Sequence, residues 1–383
     1  MFLNQITVIA TIPFLAEKFS PSLFGIVSIS LILIQTGWII SDWGIISYAI
    51  ENWRNKNSIL EKNIFITNLL ASKISIAVLY LSLIGLLIAC QVIKLPLLYF
   101  IAVIFSTISG AIHPYWFFNL NKINNSLVNI TIVSRVSFLF LVFSLVDQDG
   151  GLTFMFLHVL SFSVITIYSL FFMIKRCNFS FEGFETTQIF FHIRKSTNFF
   201  ANNIANNHIN MIWSFLLSVT QGSNIIGVYN IAEQGYRAGN AVTNIVANVI
   251  RINTNSLSGK KTLPLIYFYI CAYFFIALFA FSIVEPVIKF LFDARYHISI
   301  NILQTLVVVW FFQSCIRFLN YPVIGKILSL KKLHSLSPYI IVTNLLMFSL
   351  WFSYSGNILD FAIYFLVTSL MQFVVFIIII NKK

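Results

Sequence analysis

Long apolar runs separated by short polar breaks dominate the chain. Twelve can be read, at 2–16, 23–49, 64–90, 96–118, 127–146, 152–174, 198–219, 225–250, 263–288, 299–320, 336–354 and 358–380. Most reach the roughly 20 residues that carry an α-helix across a bilayer. They are continuously apolar and do not alternate in dyads, which argues against a β-barrel. The expected fold is an all-α polytopic membrane protein of about twelve transmembrane helices. Phe2 to Ala16 is only about half a span before Glu17-Lys18-Phe19-Ser20-Pro21. Either residues are missing ahead of it or its neighbours shield a short first helix. Pro114, between His113 and Tyr115 in the fourth run, should kink that helix.

Polar positions inside the runs fall at helical spacing. Glu233 and Arg237 form an i,i+4 pair with the acid first, the better orientation. Asn230, Asn240, Asn244, Asn248 and Arg251 extend it into one polar stripe, which must face a bundle interior or a water-filled cavity rather than lipid. Glu233 is a candidate ion-coupling acid, with Arg237, Asn240 and Asn244 as candidate ligand contacts. The plainer alternative is an ion pair that only eases insertion. In the seventh run, Asn203, Asn206, Asn207, Asn210 and Ser214 share a face. Asn210 and its neighbours suit sugar hydroxyls, because an amide both donates and accepts, but such amides also glue helices together. Asp42, with Gln35 and Ser28 one and two heptads upstream, is a second candidate proton carrier and could pair with Arg135. Lys73 and Arg135 lie inside spans as candidate anion contacts, though Lys73, in the cytoplasmic third of its span, could equally snorkel. Arg317, near a span end, is another, or could snorkel to the surface.

Composition sharpens the picture. Charged residues make up 9% of the 383 positions and hydrophobic ones 58%, against about 25% charged in a soluble domain. One alternating set of loops, with the C-terminus, holds 16 of the 24 Lys and Arg, and the other set holds four: Lys18, Lys94, Lys289 and Arg295. By the positive-inside rule both termini are expected in the cytoplasm. The net charge of +12 is thus topogenic, partly facing anionic lipid, and implies no nucleic acid. The longest polar interruption, Lys175 to Thr197, divides the chain into an N-terminal six-helix bundle (1–174), a cytoplasmic connecting segment (175–197) and a C-terminal six-helix bundle (198–383). Phe181, Phe184, Phe190 and Phe191 with Arg194 and Lys195 give that connector an interfacial character, though a plain linker fits as well. Leu23-Phe24-Gly25-Ile26 and Ile226-Gly227-Val228-Tyr229 open the second and eighth spans alike, a faint internal repeat.

No site for a metal, disulfide, nucleotide or other cofactor is legible. Cys90, Cys177, Cys271 and Cys315 show no paired spacing, and neither HExxH, a P-loop nor GxSxG occurs. Fixed cations in an interior with few acids suit an anionic cargo. Amides and the aromatics Trp38, Trp116, Tyr229 and Tyr236 suit sugar rings. A lipid-linked sugar phosphate is both at once.

The stretch Val228-Tyr229-Asn230-Ile231-Ala232-Glu233-Gln234-Gly235-Tyr236-Arg237-Ala238-Gly239 resembles the eighth helix of O-antigen flippases of the Wzx type. Ser20-Pro21-Ser22-Leu23-Phe24-Gly25, Asp42-Trp43-Gly44 through Arg54, and His113-Pro114-Tyr115-Trp116-Phe117-Phe118 resemble further elements of that family, within the multidrug/oligosaccharidyl-lipid/polysaccharide exporter superfamily. The resemblance spans the chain, with a shorter N-terminus and Asn119-Leu120-Asn121 where the family has a Gly-Leu-Glu-type ending. It implies two six-helix bundles around a central cationic cavity. The implied activity is movement of undecaprenyl-pyrophosphate-linked oligosaccharide from the cytoplasmic to the periplasmic leaflet of the inner membrane. A polymerase and a chain-length regulator of the same pathway would be partners. Rival readings are a membrane-embedded O-antigen polymerase or ligase, disfavoured by short outside loops; a small-molecule antiporter, disfavoured by scarce acids; and a lipid II flippase.

Overall fold

The computed structural model describes residues 2–53, 58–120, 124–176, 179–254, 259–319 and 337–381. Of the 16 Lys and Arg on the more basic side, Arg54, Lys56, Lys122, Lys326, Lys331, Lys332, Lys382 and Lys383 lie outside them. Fifteen α-helices occur among the described residues: α1 (Phe2–Lys18), α2 (Pro21–Asp42), α3 (Ile45–Asn52), α4 (Ile59–Ala89), α5 (Leu97–Ile112), α6 (Tyr115–Leu120), α7 (Asn124–Leu145), α8 (Gly151–Arg176), α9 (Thr186–Asn203), α10 (Ile209–Thr220), α11 (Ser223–Thr254), α12 (Gly259–Leu291), α13 (Ile298–Leu319), α14 (Ser337–Tyr354) and α15 (Ile358–Asn381). No strand occurs among those residues. All twelve expected segments are helical. Eight are long and apolar enough to cross a membrane. The other four contain α1, α10, α11 and α14. The helices α1, α10 and α14 are short, and α11 is long but carries the polar stripe.

Local chemistry explains the helix ends. Leu23 N–H donates to Ser20 Oγ at 3.3 Å, and Pro21 opens α2, an N-cap followed by the residue that needs no hydrogen-bond donor. The second span then breaks, because Trp43 (φ 43°) and Gly44 (φ 69°) are both left-handed. A bulky side chain rarely adopts that conformation. Trp43 is held in it by stacking on Phe200 at 4.0 Å and by donating from Nε1 to Thr197 Oγ1 at 3.2 Å. Gly44 is required twice over, since a Cβ there would also strike the backbone of Phe200. Pro114 does more than kink the fourth span. It separates α5 from α6, leaving His113 and Pro114 outside any helix, as expected of a ring that clashes with the preceding turn.

The connector is built, not loose. Asn68 Nδ2 donates to Gly183 O at 2.8 Å, and Asn68 Oδ1 accepts from Glu185 N–H at 3.0 Å. Asn63 Nδ2 donates to Ser180 Oγ at 2.8 Å, and Thr67 Oγ1 accepts from Glu182 N–H at 3.2 Å. One face of α4 thus clips the chain just before α9. The connector does not extend to 197 as a separate segment: helix starts at Thr186 and runs into the seventh span through a π-helical turn at Ile204–His208.

Packing divides the chain into two compact units, one of Lys18–Ile226 and one of Met1–Glu17 with Gly227–Lys383. This differs from the sequential division at 174 and 198. The first helix groups with the C-terminal half, tied there by Arg295 Nη2 donating to Ala16 O at 2.9 Å. The seventh span groups with the N-terminal half, where Gly25 packs so tightly on the Ser223 backbone that a Cβ would overlap it. Below, these are the N-terminal and C-terminal units. In the N-terminal unit a core of Ile45, Ala49, Phe65, Leu69, Trp116, Phe118 and Met173 packs α3, α4, α6 and α8 together. Lipid is as apolar as these side chains, so contact packing and interhelical hydrogen bonds hold such a bundle more than escape from water does.

Candidate functional site

Each unit buries its own set of intramembrane charges. In the C-terminal unit α11 carries the stripe. Arg237 Nη2 lies 2.5 Å and Nε 2.9 Å from Glu233 Oε1, with the Glu233 side chain 0% exposed and that of Arg237 12%. Gln234 Nε2 donates to Asn230 Oδ1 at 3.1 Å one turn earlier. Further along, Trp310 Nε1 on α13 donates to Thr243 Oγ1 at 2.8 Å, and Thr243 and Ser314 hydroxyls meet at 3.1 Å. Gln313 reaches Ser369 on α15 at 3.2 Å.

Arg317 completes this unit's charges. It is not at the surface, as snorkelling would require. Nε and Nη1 are both buried, and neither has a hydrogen-bond partner among the described residues. Tyr236 and Tyr273 lie within its electrostatic reach. Asn240 Oδ1 and Gln372 Nε2 are likewise buried without partners among those residues. Leaving such groups unsatisfied is costly, a guanidinium most of all.

The N-terminal unit has a parallel set. Lys73 on α4 and Arg135 on α7 are each 3% exposed. Asp42 lies within electrostatic reach of Lys73 rather than pairing as expected with Arg135, and Asp42 and Lys73 form no salt bridge among the described residues. The Asp42 carboxylate instead accepts the Ile46 N–H at 3.3 Å, which caps α3 across the Trp43–Gly44 break. Arg135 sits 5.6 Å from the Phe162 ring centroid and within electrostatic reach of His113 and His158. Both imidazoles have a buried Nδ1 with no partner among the described residues. Trp38 stacks on Phe162 at 4.3 Å and donates to Ser106 O at 2.8 Å.

Several expected contacts fall elsewhere. Trp116 is 0% exposed and belongs to the apolar core, edge-on to Trp53 and Phe117. Tyr229 and Tyr236 pack edge-on against Phe361 and Phe365. As placed, these rings are committed to packing and offer no face to a sugar. Asn244 is exposed, while Asn240 is buried, so the stripe turns outward midway. The side chains of Asn206, Asn207, Asn248 and Arg251 lie outside those described. Asn210 is half-buried just after the π-helical turn, and π turns recur at functional sites. His158, Gln372 and the Thr243–Trp310–Ser314 group were not singled out by sequence. A lone His or Gln in an apolar run carries no spacing signal, and only the fold shows what it meets.

The sequence profile of the polysaccharide biosynthesis protein family matches residues 1–251. No curated protein sequence matches the chain. Among solved structures, that of a multidrug resistance MATE family transporter of the MOP superfamily, in an inward-facing conformation, superposes with a TM-score of 0.61 at 15% identity. The match covers 100% of this chain and 94% of that one. At that identity the likeness speaks for the fold, an all-α polytopic membrane architecture.

Proposed function

The chain belongs to the polysaccharide biosynthesis protein family, and from that membership we propose that it flips undecaprenyl-pyrophosphate-linked O-antigen oligosaccharide units across the bacterial inner membrane. Movement would run from the cytoplasmic to the periplasmic leaflet by alternating access. In coarser terms the proposal is a multi-pass membrane transporter of the flippase type rather than an enzyme.

The observation that carries the reading is Arg317. Its buried Nε and Nη1 have no partner among the described residues, which leaves charge-assisted donors for an anion. Phosphate oxygens match such donors in charge. Arg237, Lys73 and Arg135 supply further buried cations. Asn240 and Asn210 supply amides for sugar hydroxyls. Glu233 and Asp42 are the acids on which ion coupling would rest.

The test is export of surface polysaccharide in a strain lacking its own copy of the transporter. Arg317→Ala should abolish export at unchanged protein level. Arg317→Lys should restore only part of it, because an ammonium cannot fork onto two oxygens. Full export by Arg317→Ala would remove the anion-binding role.

A further inference from the structure

The connector and α9 present a surface that the transport reading does not use. Phe181, Phe184 and Phe190 are 59%, 63% and 75% exposed, and Phe191 is 47% exposed. The segment is not a loose linker, since α4 clips it through Asn63, Thr67 and Asn68. The inner face of α9 is packed, with Ile189, His192 and Ser196 buried. Its outer face carries Arg194 and Lys195, both exposed, and Lys195 Nζ lies 5.6 Å from the Phe191 ring centroid. A shallow pocket of about 470 Å³ opens there, lined by Phe191, Arg194, Lys195 and Asn198. A second, of about 420 Å³, shares Phe191 and Lys195 and reaches Glu51 and Asn52 beyond the end of the second span.

We infer that this face of α9 is a docking site for an anionic phospholipid headgroup of the bilayer surface. The first pocket holds two cations and no acid, which complements a phosphodiester. Glu51 lines only the second pocket. Of the connector acids, Glu182 is engaged by the Ser180 hydroxyl, and Glu185, exposed just before α9, lines neither pocket. Four Phe rings held rigidly outward are poor neighbours for water. Rings of this kind beside cations are the pattern of a segment lying at the headgroup level, where the rings enter the acyl boundary and the cations stay with the phosphates. The segment also lies on the side of the chain that holds most of the Lys and Arg, where anionic lipid attracts basic residues.

Native mass spectrometry of the full chain, released from nanodiscs of equal phosphatidylglycerol and phosphatidylcholine, tests this. Arg194→Gln with Lys195→Gln should weaken phosphatidylglycerol binding by roughly 30-fold, at about tenfold per 1.4 kcal/mol. The swap Arg194→Lys with Lys195→Arg should stay within about threefold, and Lys289→Gln, an exposed cation elsewhere, should change nothing. If the double Gln variant fails to fold, Phe190→Ser tests the same surface and should lower phosphatidylglycerol retention several-fold. Unchanged retention in these variants overturns the site, as does an equal loss of phosphatidylcholine. Displacement of phosphatidylglycerol by equimolar undecaprenyl phosphate also overturns it and assigns the pocket to the cargo lipid.

Discussion

The two units bury the same charges and arrange them differently. Away from the span ends each holds one acid and two bases among the described residues: Glu233 with Arg237 and Arg317, and Asp42 with Lys73 and Arg135. In the C-terminal unit acid and base clasp at 2.5 Å on one helix. In the N-terminal unit they sit on different helices, and the acid spends its oxygen on capping α3. A clasped pair is a closed electrostatic unit whose partners depend on each other. A dispersed set is open, so each member can be changed with less consequence for the others and each is freer to meet a ligand. Of the remaining bases, Arg317 lies within electrostatic reach of Tyr236 and Tyr273, and Arg135 lies within reach of His113 and His158 and beside the Phe162 ring.

The largest effect should come from breaking the clasp. Arg237→Ala should abolish export and also lower the thermal stability of the purified protein. It removes the guanidinium from a fully buried carboxylate, and breaking a buried ion pair costs about 3–5 kcal/mol. Lys73→Ala should destabilise less, since Asp42 keeps its bond to the Ile46 N–H. Equal losses of melting temperature would erase the contrast. The double change Glu233→Gln with Arg237→Gln should recover most of the stability, because two neutral groups replace a pair, while export stays lost. Recovered export would make the pair structural only.

A smaller effect is expected from Arg135→Gln. Arg135 is not clasped by an acid on its own helix as Arg237 is, so neutralising it should cost less than breaking the Glu233–Arg237 pair, and the protein should melt within a few degrees of the parent. Export should still fall, by roughly 10- to 150-fold if one charge-assisted contact of about 1.5–3 kcal/mol to the cargo is lost. Export at the parental rate would leave Arg135 without a role in binding.

Much of this was legible in the sequence, for identifiable reasons. Span positions follow from apolar length, and each expected segment is helical. The intramembrane charges stood out because lipid tolerates them poorly. What the sequence hid were relations set by packing. Nothing in the first 18 residues says that α1 groups with the C-terminal half. Asp42 was matched with Arg135 because both lie in spans, yet helix rotation brings Lys73 to it instead. Trp116 reads as a sugar platform by type, but its neighbours Trp53 and Phe117 bury it. The π-helical turn at Ile204–His208 is likewise silent in sequence, since an i→i+5 turn has no residue signature of its own.

The smallest and most specific effect should separate coupling from binding. Glu233 is held by Arg237 through a single oxygen, Oε1, which accepts from both Nε and Nη2. If cargo phosphate draws the guanidinium away, the carboxylate loses that contact, so a coupling ion exchanged at Glu233 would be linked to cargo binding. If the pair is only structural, export does not feel a pH gradient through Glu233. Glu233→Gln keeps shape and hydrogen bonding and removes titration. In liposomes carrying labelled lipid-linked oligosaccharide, the parent should flip faster when a pH gradient is imposed. Glu233→Gln should flip at a similar basal rate and lose that acceleration. Asp42→Asn should retain it, since the Asn carbonyl can still cap α3 and Asp42 has no clasped base to release. Loss of the acceleration in Asp42→Asn alone would move the coupling site to the dispersed cluster and invert the assignment between the two units.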